Sequence, residues 1–364
     1  MILHAYFARR FLMMFLGLFA VFALLQALLD LVEQLRRFGD DATFGQVVQL
    51  AALKLPDGLY QILPLVMILS TIALFISLAR SSELVVVRAT GRSGLTVLAA
   101  PLLVALLIGV LVVAMMNPIV AATSKRYADL RETYRTGSAS AISIGPEGLW
   151  LRQGGDEGQA VIRADRANAE ATRLYDVSIV TYAPQGGPQS RILAAEAELT
   201  DGAWRLTNAT AWPLTPGLNP ELGARAHDML LLPSNLTQDS IRDRFGSPSA
   251  VAIWDLPDFI SDLEQAGFSA RRHLVWFQME LARPLFLVAM VLVGAAFTMR
   301  PARLGRTGVS VLSAILLGFG LYYVRNFAQI MGENGQLQPL LAAWVPPVAA
   351  LLLALGLVLQ MEDG

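Results

Sequence analysis

The sequence predicts an α-helical membrane protein with six transmembrane helices, three on each side of an inserted antiparallel β-sandwich. The mean hydropathy is +0.52 and only 16% of the residues are charged, far from the balance of a soluble domain. Six apolar stretches are each long enough to cross a bilayer, because a transmembrane helix needs about 20 mostly apolar residues. One long polar segment separates the third stretch from the fourth, and within it apolar residues alternate with polar ones.

The apolar stretches divide the chain into three parts. Residues 1–124 hold the first three spans, residues 125–272 form the inserted domain, and residues 273–364 hold the last three spans. The inserted part has about 150 residues, which is the size of one domain. The predicted spans are residues 7–29, 59–78, 94–116, 276–299, 309–331 and 339–359.

Arginines in the short connections predict the orientation. Short loops rich in Lys and Arg stay on the cytoplasmic side of a membrane. Both termini are therefore expected in the cytoplasm and the inserted domain on the opposite side. The arginines that carry this prediction are Arg9, Arg10, Arg80, Arg88, Arg92, Arg300, Arg303 and Arg306.

Within the inserted part, the alternation of apolar and polar residues predicts β-strands at 177–182, 192–199 and 204–212. The dipeptide Asp201-Gly202 is typical of the turn of a hairpin that joins the last two strands. Residues 144–151 and 160–164 predict two further short strands. Residues 257–266 carry Phe259, Ile260 and Leu263 on one helical face and predict a short amphipathic helix that leads into the fourth span.

A short helix at 81–91, between the second and third spans, is the first candidate functional element. Ser82 suits its N-cap, Glu83 its first turn and Gly91 its end. One interpretation is an ordinary surface helix. The other is a coupling helix that receives force from a separate motor subunit, with contact residues Ser82, Glu83, Leu84 and Arg88 and an ion pair between Glu83 and a basic groove of that motor.

Arginines near the opposite ends of the spans are the candidate substrate contacts. Arg36 and Arg37 follow the first span, where they form either a solvated helix end or a phosphate site with forked hydrogen bonds. Arg325 lies inside the fifth span, where an arginine is costly unless it reaches the interface or lines a wet cavity. Glu280 and Arg283, three residues apart, are predicted to pair within one helix.

Several classes of function are excluded. The only lysines are Lys54 and Lys125 and no phosphate-binding loop is present, so the chain has no ATPase motif and the sequence predicts that it is not an enzyme. It has no cysteine, and its three histidines lack the spacing of metal ligands, so no metal or cofactor is expected in the chain. A net charge of -1 gives no basic surface for nucleic acid.

Four runs of residues resemble a known family. They are residues 31–37 after the first span, Leu63-Pro64 in the second, residues 80–91 between the second and third, and residues 282–285 in the fourth. Together they resemble the LptF/LptG permeases of the lipopolysaccharide exporter, and the likeness extends over the whole chain. Residues 32–37 and 83–86 are more similar to LptG members than to LptF members.

The resemblance implies a transmembrane permease subunit of an ATP-driven ABC transporter that extracts lipopolysaccharide from the bacterial inner membrane. It also implies that the inserted antiparallel β-sandwich is β-jellyroll-like and lies in the periplasm. By likeness, an LptF-like companion permease pairs with it, an LptB-like ATPase dimer binds ATP and Mg²⁺, and LptC and LptA form the periplasmic bridge. The resemblance also implies that Glu83 and its neighbours seat in the ATPase and that Arg36 and Arg37 hold lipid A phosphates. Asp30 stands where LptG members carry a lysine, so no phosphate contact is carried over to it.

Two other functions stay open at this stage. One is an ABC permease for another envelope lipid or a lipoprotein, which shares the coupling helix and differs in cargo. The other is a non-transporting membrane scaffold that anchors a periplasmic β domain and needs no ATPase.

Overall fold

The computed structural model divides into two compact units, Met1–Tyr127 with Arg271–Gly364, and Ala128–Ala270. The first unit is helical and the second is mainly β. The residues that the structure describes are 2–38, 42–89, 93–136, 142–145, 148–155, 158–168, 172–183, 187–200, 202–214, 217, 219–234, 248–265, 268–299 and 307–362.

Within its described residues, the helical unit contains six helices that are long and apolar enough to cross a membrane, and one short helix. In chain order the helices are α1 (Ile2–Phe38), α2 (Phe44–Arg80), α3 (Glu83–Ala89), α4 (Gly94–Leu111), α5 (Asn117–Thr136), α7 (Arg271–Thr298), α8 (Thr307–Glu333) and α9 (Pro339–Glu362), and the β unit holds α6 (Leu256–Gln265). A π-helical turn, Val112–Met116, joins α4 to α5, so that these two form one continuous span.

The six predicted spans are confirmed, but the second helix begins earlier than predicted, at Phe44 rather than residue 59. The Gln46 side chain accepts a hydrogen bond from the Thr43 backbone N–H at 2.7 Å, which stabilises this N-terminus. Lys54 and Asp57 lower the mean hydropathy of the first part of this helix, so the apolar pattern that predicts a span begins only after them. The helix nevertheless continues, because both residues are tolerated in a helix outside the hydrocarbon.

Helix α7 is the centre of the helical unit and packs against α2, α4, α8 and α9. Its span is 72% buried, whereas that of α1 is only 6% buried. Small residues allow the close approaches: a Cβ on Gly294 would lie 3.0 Å from the Ile68 backbone oxygen, and one on Gly109 would lie 2.7 Å from Pro284 Cα. The core is therefore built on α2 and α7, and α1 lies at the edge.

The β unit is one antiparallel sheet of seven strands whose order follows the sequence. Thr200 pairs with Ala203, which leaves the predicted Asp201-Gly202 dipeptide as the connection; Gly202 has a φ of +82°. Asp201 itself lies outside the described residues. The strands are β1 (Ile142–Gly145), β2 (Gly148–Gly155), β3 (Gly158–Ala167), β4 (Arg173–Tyr182), β5 (Pro188–Thr200), β6 (Ala203–Pro213) and β7 (Arg225–Pro233).

The sheet curls back on itself. Gln153 of β2 donates a hydrogen bond to the Pro233 carbonyl at the end of β7 at 3.1 Å and accepts one from Ser234 Oγ at 2.8 Å. Strands β2 and β7 are five positions apart in the sheet, which is about 24 Å in a flat sheet at 4.8 Å per strand. The contact therefore requires strong curvature, and it encloses a core around the fully buried Trp204. This agrees with the predicted jellyroll-like sandwich.

Two details of the strand prediction were wrong. Residues 144–151 form two strands, β1 and β2, in which Gly145 pairs with Gly148 across a two-residue connection. Strand β7 was not predicted, because its apolar residues are a continuous run and most of its side chains are exposed. The predicted amphipathic helix is confirmed as α6 (Leu256–Gln265), which buries Ile260 and Leu263.

We expect that Trp204→Ala destabilises the β unit by about 3 to 5 kcal/mol, since it leaves a large cavity in the core. Hydrogen exchange of the β4–β6 amides in detergent measures this change. Trp150→Ala is the matched control, because the Trp150 side chain is 42% exposed, and its effect is expected to stay within about 1 kcal/mol. Equal effects of the two substitutions would contradict the curled-sheet core.

Candidate functional site

The predicted site residues fall in three places in the helical unit: the short helix α3, the end of α1, and the buried interior between α2, α7 and α8. Each place is built from residues far apart in the sequence.

Helix α3 begins immediately after α2. The backbone turns sharply at Ser82, whose φ of 57° lies in the left-handed region, and the Ser82 carbonyl accepts the N–H groups of Val85 and Val86. Leu84 and Val87 are buried in the main core, whereas Val85 and Val86 are exposed. Helix α3 therefore has one anchored face and one free apolar face. Arg88 belongs to α3, but its side chain lies outside the described residues, as does the predicted Gly91 end.

The Glu83 carboxylate faces α1. It accepts hydrogen bonds from Arg10 Nη1 at 2.7 and 2.8 Å, from Tyr6 Oη at 2.8 Å and from Ser81 Oγ at 2.7 Å. The Arg10 Nη2 group donates to Ser77 Oγ of α2 at 2.9 Å. Partial burial raises the pKa of Glu83, but the hydrogen bonds from Arg10, Ser81 and Tyr6 outweigh it, so the pKa lies below its ordinary value. Glu83 is therefore ionised at neutral pH.

At the C-terminal end of α1, the basic side chains differ in the ion pairs that they form. Arg37 forms an i,i+4 ion pair with Glu33 at 2.6 Å, and Lys54 of α2 lies 2.8 Å from Glu33 and 3.4 Å from the buried Asp30. Arg36 is exposed, and no ion pair is found for it within the described residues. Asp30 is thus an internal partner of Lys54, and Arg36 is the cation most available to a ligand.

A polar cluster is buried in the middle of the helical unit. Glu280 and Arg283 of α7 form the predicted intrahelical pair, with a distance of 2.6 Å, and both side chains are almost fully buried. The Tyr60 hydroxyl donates to Glu280, and the Tyr60 ring lies under the Arg283 guanidinium at 4.0 Å. Asn117 donates to the Tyr60 hydroxyl at 3.5 Å. The cluster ties α2 and α5 to α7.

Pro64 explains part of this arrangement. Proline has no N–H, so the carbonyl four residues earlier in the helix has no helical partner. That carbonyl belongs to Tyr60, and it accepts a hydrogen bond from Arg283 Nη1 at 3.3 Å. Arg283 thus satisfies both a buried carboxylate and a backbone carbonyl that the membrane interior would leave unpaired.

Arg325 of α8 lies close to this cluster. Its side chain is only 6% exposed, and its guanidinium stands over the Phe286 ring at 5.3 Å. Its Nε and Nη2 atoms have no hydrogen-bond partner within the described part of the chain. The buried groups Glu280, Arg283 and Arg325 therefore carry one more positive than negative charge, which favours an anion nearby.

A pocket of about 170 Å³ lies between α2, α7 and α8. It is mainly apolar, with Gln61 and Tyr322 as polar groups, and Tyr322 precedes Arg325 by one turn of α8. The described residues contain no group of His, Asp and Glu side chains that would hold a metal ion.

Sequence reasoning identified Arg36, Arg37, Glu83, Arg325 and the Glu280–Arg283 pair but missed most of the contacts around them. Arg10 and Tyr6 beside Glu83, Lys54 beside Glu33, and Tyr60 beside Glu280 come from other helices, so no local pattern reveals them. The spacing of Glu33 and Arg37 by four residues was a usable signal. Pro64, four residues after Tyr60, was a second one, since it marks a carbonyl that needs an outside donor.

These features define a multi-pass helical membrane protein with an inserted antiparallel β domain and a short exposed helix between its second and third spans. The sequence model of the family described as lipopolysaccharide export system permease LptF/LptG matches residues 5–360. The chain belongs to this family.

Curated relatives agree with this assignment. The chain is 24% identical over 342 residues to the lipopolysaccharide export system permease protein LptG of Escherichia coli K12, covering 92% of each chain. It is also 24% identical over 313 residues to LptG of Haemophilus influenzae, covering 85% of this chain and 84% of the relative. These relatives carry the LptG name, in line with the resemblance in residues 32–37 and 83–86.

We expect Glu280→Ala to destabilise the helical unit by about 3 to 5 kcal/mol, because it leaves the Arg283 charge buried without its partner. Equilibrium unfolding in mixed detergent micelles measures the change. Glu333→Ala is the matched control, since Glu333 lies at the end of α8, where it accepts a hydrogen bond from Gln329 at 2.8 Å and has no ion pair within the described residues; its effect is expected to be about 1 kcal/mol or less. An effect at Glu280 as small as that at Glu333 would contradict a structural role for the buried pair.

Proposed function

We propose that this chain is the transmembrane permease subunit of an ATP-driven exporter that extracts lipopolysaccharide from the inner membrane and passes it to a periplasmic bridge. The observation that carries the proposal is the family match over residues 5–360, which includes both sets of three spans and the inserted domain. The relatives at 24% identity are named as permeases of lipopolysaccharide export.

The proposed orientation has α3 and both termini in the cytoplasm and the β unit in the periplasm. Its support is the arginine content of the short connections, which the positive-inside rule assigns to the cytoplasmic side. In this orientation Arg36 lies at the periplasmic end of α1, level with the outer leaflet from which the lipid would be extracted.

The energy for extraction must come from a partner. Each buried acyl methylene contributes about 0.8 kcal/mol to holding a lipid in the membrane, so removal of a multi-chain lipid is strongly unfavourable. The chain has no ATPase motif. An LptB-like ATPase dimer that binds ATP and Mg²⁺ is the proposed motor, and α3, with Ser82, Glu83, Leu84 and Arg88, is the proposed coupling helix. Its exposed Val85 and Val86 give it an apolar contact surface.

The proposed lipid path lies between α1 and α8 of this chain and the matching helices of an LptF-like companion. Both helices have long exposed apolar faces, and their spans are only 6% and 17% buried. Arg36 and Arg37 are proposed to hold phosphates at the mouth of the path, and Arg325 to attract an anionic group deeper inside, beside the pocket at Tyr322. LptC and LptA are the proposed acceptors beyond the β unit.

Co-purification of the ATPase tests the coupling surface. We expect Val86→Asp to abolish co-purification of the ATPase, because it places a charge in an apolar contact. Val48→Asp is the matched control, since Val48 is also exposed but lies at the other end of α2. If the unmodified chain brings down no ATPase at all, the chain is a scaffold and the transport proposal fails.

Photo-crosslinking from position 35 tests the cargo. We expect a photoreactive residue in place of Leu35 to label lipopolysaccharide. Arg36→Gln is expected to reduce that labelling about tenfold, the equivalent of one charge-assisted hydrogen bond to phosphate. Arg37→Gln is expected to reduce the labelling less, since Arg37 already forms an ion pair with Glu33. Labelling of a different envelope lipid would transfer the proposal to that cargo.

A further inference from the structure

Arg271, the first residue of α7, bonds the connection between α8 and α9. Its Nε group donates a hydrogen bond to the Gly332 carbonyl at 2.8 Å, and its Nη2 group donates one to the Leu337 carbonyl at 2.6 Å. Gly332 lies in the last turn of α8, and Leu337 lies two residues before the start of α9. One guanidinium therefore holds the end of one helix and the approach to the next.

The carbonyls in this connection are suitable acceptors for a cation. The last carbonyls of a helix have no partner within the helix, and the negative end of the helix dipole favours a positive charge. Gly335 allows the sharp turn that brings both carbonyls to Arg271: its φ is +87°, and its N–H group donates to the Gly332 carbonyl at 3.2 Å. The two hydrogen bonds from Arg271 are charge-assisted, so each is stronger than one between neutral groups.

Close packing surrounds these hydrogen bonds. A Cβ on Gly332 would lie 2.7 Å from the Cβ of Ala342 in α9 and 3.2 Å from a methyl group of Val275 in α7, so a larger residue requires a shift. Trp344 Nε1 of α9 donates a hydrogen bond to Gln278 Oε1 of α7 at 3.0 Å. The three helices are thus fixed together at one place. We call this place the α7–α8–α9 corner, and it consists of Arg271, Val275, Gln278, Gly332, Leu337, Ala342 and Trp344.

The corner lies close to Arg325 along α8. Arg325 precedes Gly332 by seven positions, about 10 Å at a rise of 1.5 Å per residue. Within the described part of the chain its Nε and Nη2 atoms have no hydrogen-bond partner, and its guanidinium stands over the Phe286 ring. The location of this charge therefore depends on the axial position and rotation of α8. A rotation of α8 by one residue, about 100°, would turn Arg325 away from Phe286.

We propose that Arg271 is a positioning residue for the buried end of the lipid path. By fixing α8 to α7 and α9 at the corner, it sets the place at which the Arg325 guanidinium and the Tyr322 side of the pocket meet an anionic group of the lipid. The inference rests on the proposed function for the identity of that lipid.

Distance measurements on the full chain in lipid nanodiscs test the corner without any partner protein. The chain has no cysteine, so Val48→Cys in α2 and Phe327→Cys in α8, both at exposed positions, give a single pair of spin labels. We expect one narrow distance distribution. Arg271→Gln is expected to raise the population of other distances about tenfold, because it removes both charge-assisted hydrogen bonds.

Two further variants separate these hydrogen bonds from a general effect of substitution at this helix end. Arg271→Lys keeps the charge but has no fork that reaches two carbonyls, so it is expected to restore part of the narrow distribution. Arg272→Gln is the matched control, since Arg272 is the neighbouring arginine and its Nε atom has no hydrogen-bond partner within the described residues. It is expected to leave the distribution unchanged. Equal effects of Arg271→Gln and Arg272→Gln would overturn the proposal, as would no effect of Arg271→Gln.

A pair of glycine substitutions in α8 tests the same corner by packing. Gly332→Ala is expected to broaden the distribution, because its Cβ would meet Ala342. Gly320→Ala is the matched control, since a Cβ on Gly320 would meet nothing within 4 Å. Both changes raise helix propensity alike, so a difference between them reports the corner alone. A narrow distribution in Gly332→Ala would contradict the fixed position of α8.

The assembled exporter gives the functional readout. We expect a photoreactive residue in place of Tyr322 to label the lipid, and Arg271→Gln to reduce that labelling about tenfold, as loss of one charge-assisted contact would. Labelling from position 35, which lies in α1, is expected to stay unchanged. Arg325→Gln is expected to reduce labelling from position 322 as well, and the double variant no further, because Arg271 acts through Arg325.

The outcomes distinguish a positioning role from a merely structural one. Equal loss of labelling from positions 35 and 322 in Arg271→Gln would indicate general loss of structure and overturn the proposal. Additive effects of Arg271→Gln and Arg325→Gln would overturn it too, since the two residues would then act independently. If the unmodified exporter labels lipopolysaccharide from neither position, the proposed function fails, while the distance results still decide whether Arg271 positions α8.

Discussion

The helical unit depends on one constraint, which is that a proline in the middle of α2 leaves a backbone carbonyl unpaired where no water can reach it. Pro64 removes the N–H that would bind the Tyr60 carbonyl, and Arg283 of α7 donates to that carbonyl instead. An arginine in this position requires a counter-charge, which Glu280 supplies one turn earlier. The Tyr60 side chain then satisfies Glu280. The donor missing at Pro64 thus accounts for the position of the buried polar cluster, which links α2 to α7.

Features with a local cause were predicted well from the sequence. Apolar length identified the six spans, and alternation identified β3–β6, because in these strands one face is buried and the other is not. Strand β7 has a mostly exposed pattern, so its place in the sheet comes from pairing with β6 and not from its own periodicity. The early start of α2 was missed for a similar reason: Lys54 is balanced by Asp30 and Glu33 of α1, and such pairing is not visible along the chain.

In the candidate site too, the sequence reveals some features and only the packing of the helices reveals the others. Sequence reasoning identified the ionisable residues near and within the spans, since charge is scarce there and each case needs an explanation. It could not reveal which way those charges face. Glu83 and Arg10 are 73 positions apart and Tyr60 and Glu280 are 220 apart, so only the packing of the helices brings them together. The expectation that Glu83 is displayed to a partner followed from its exposed position at a helix start, and the structure turns its carboxylate toward α1.

The distribution of burial divides the helical unit into a central pair of helices and an outer helix. Helices α2 and α7 are joined by the contacts of Tyr60 with Glu280 and Arg283 and by the close contact of Gly294 with Ile68 and Thr71, so relative motion between them would leave buried polar groups unpaired. Helix α1 buries Phe7, Phe11 and Phe15 in the main core, but its span is the least buried of the six candidate spans. The ion pairs found for it among the described residues that link it to other helices lie near its two ends, at Arg10 and at Asp30 and Glu33 with Lys54. Arg36 therefore lies on the helix with the least buried span, whereas α2 and α7 carry the buried polar contacts.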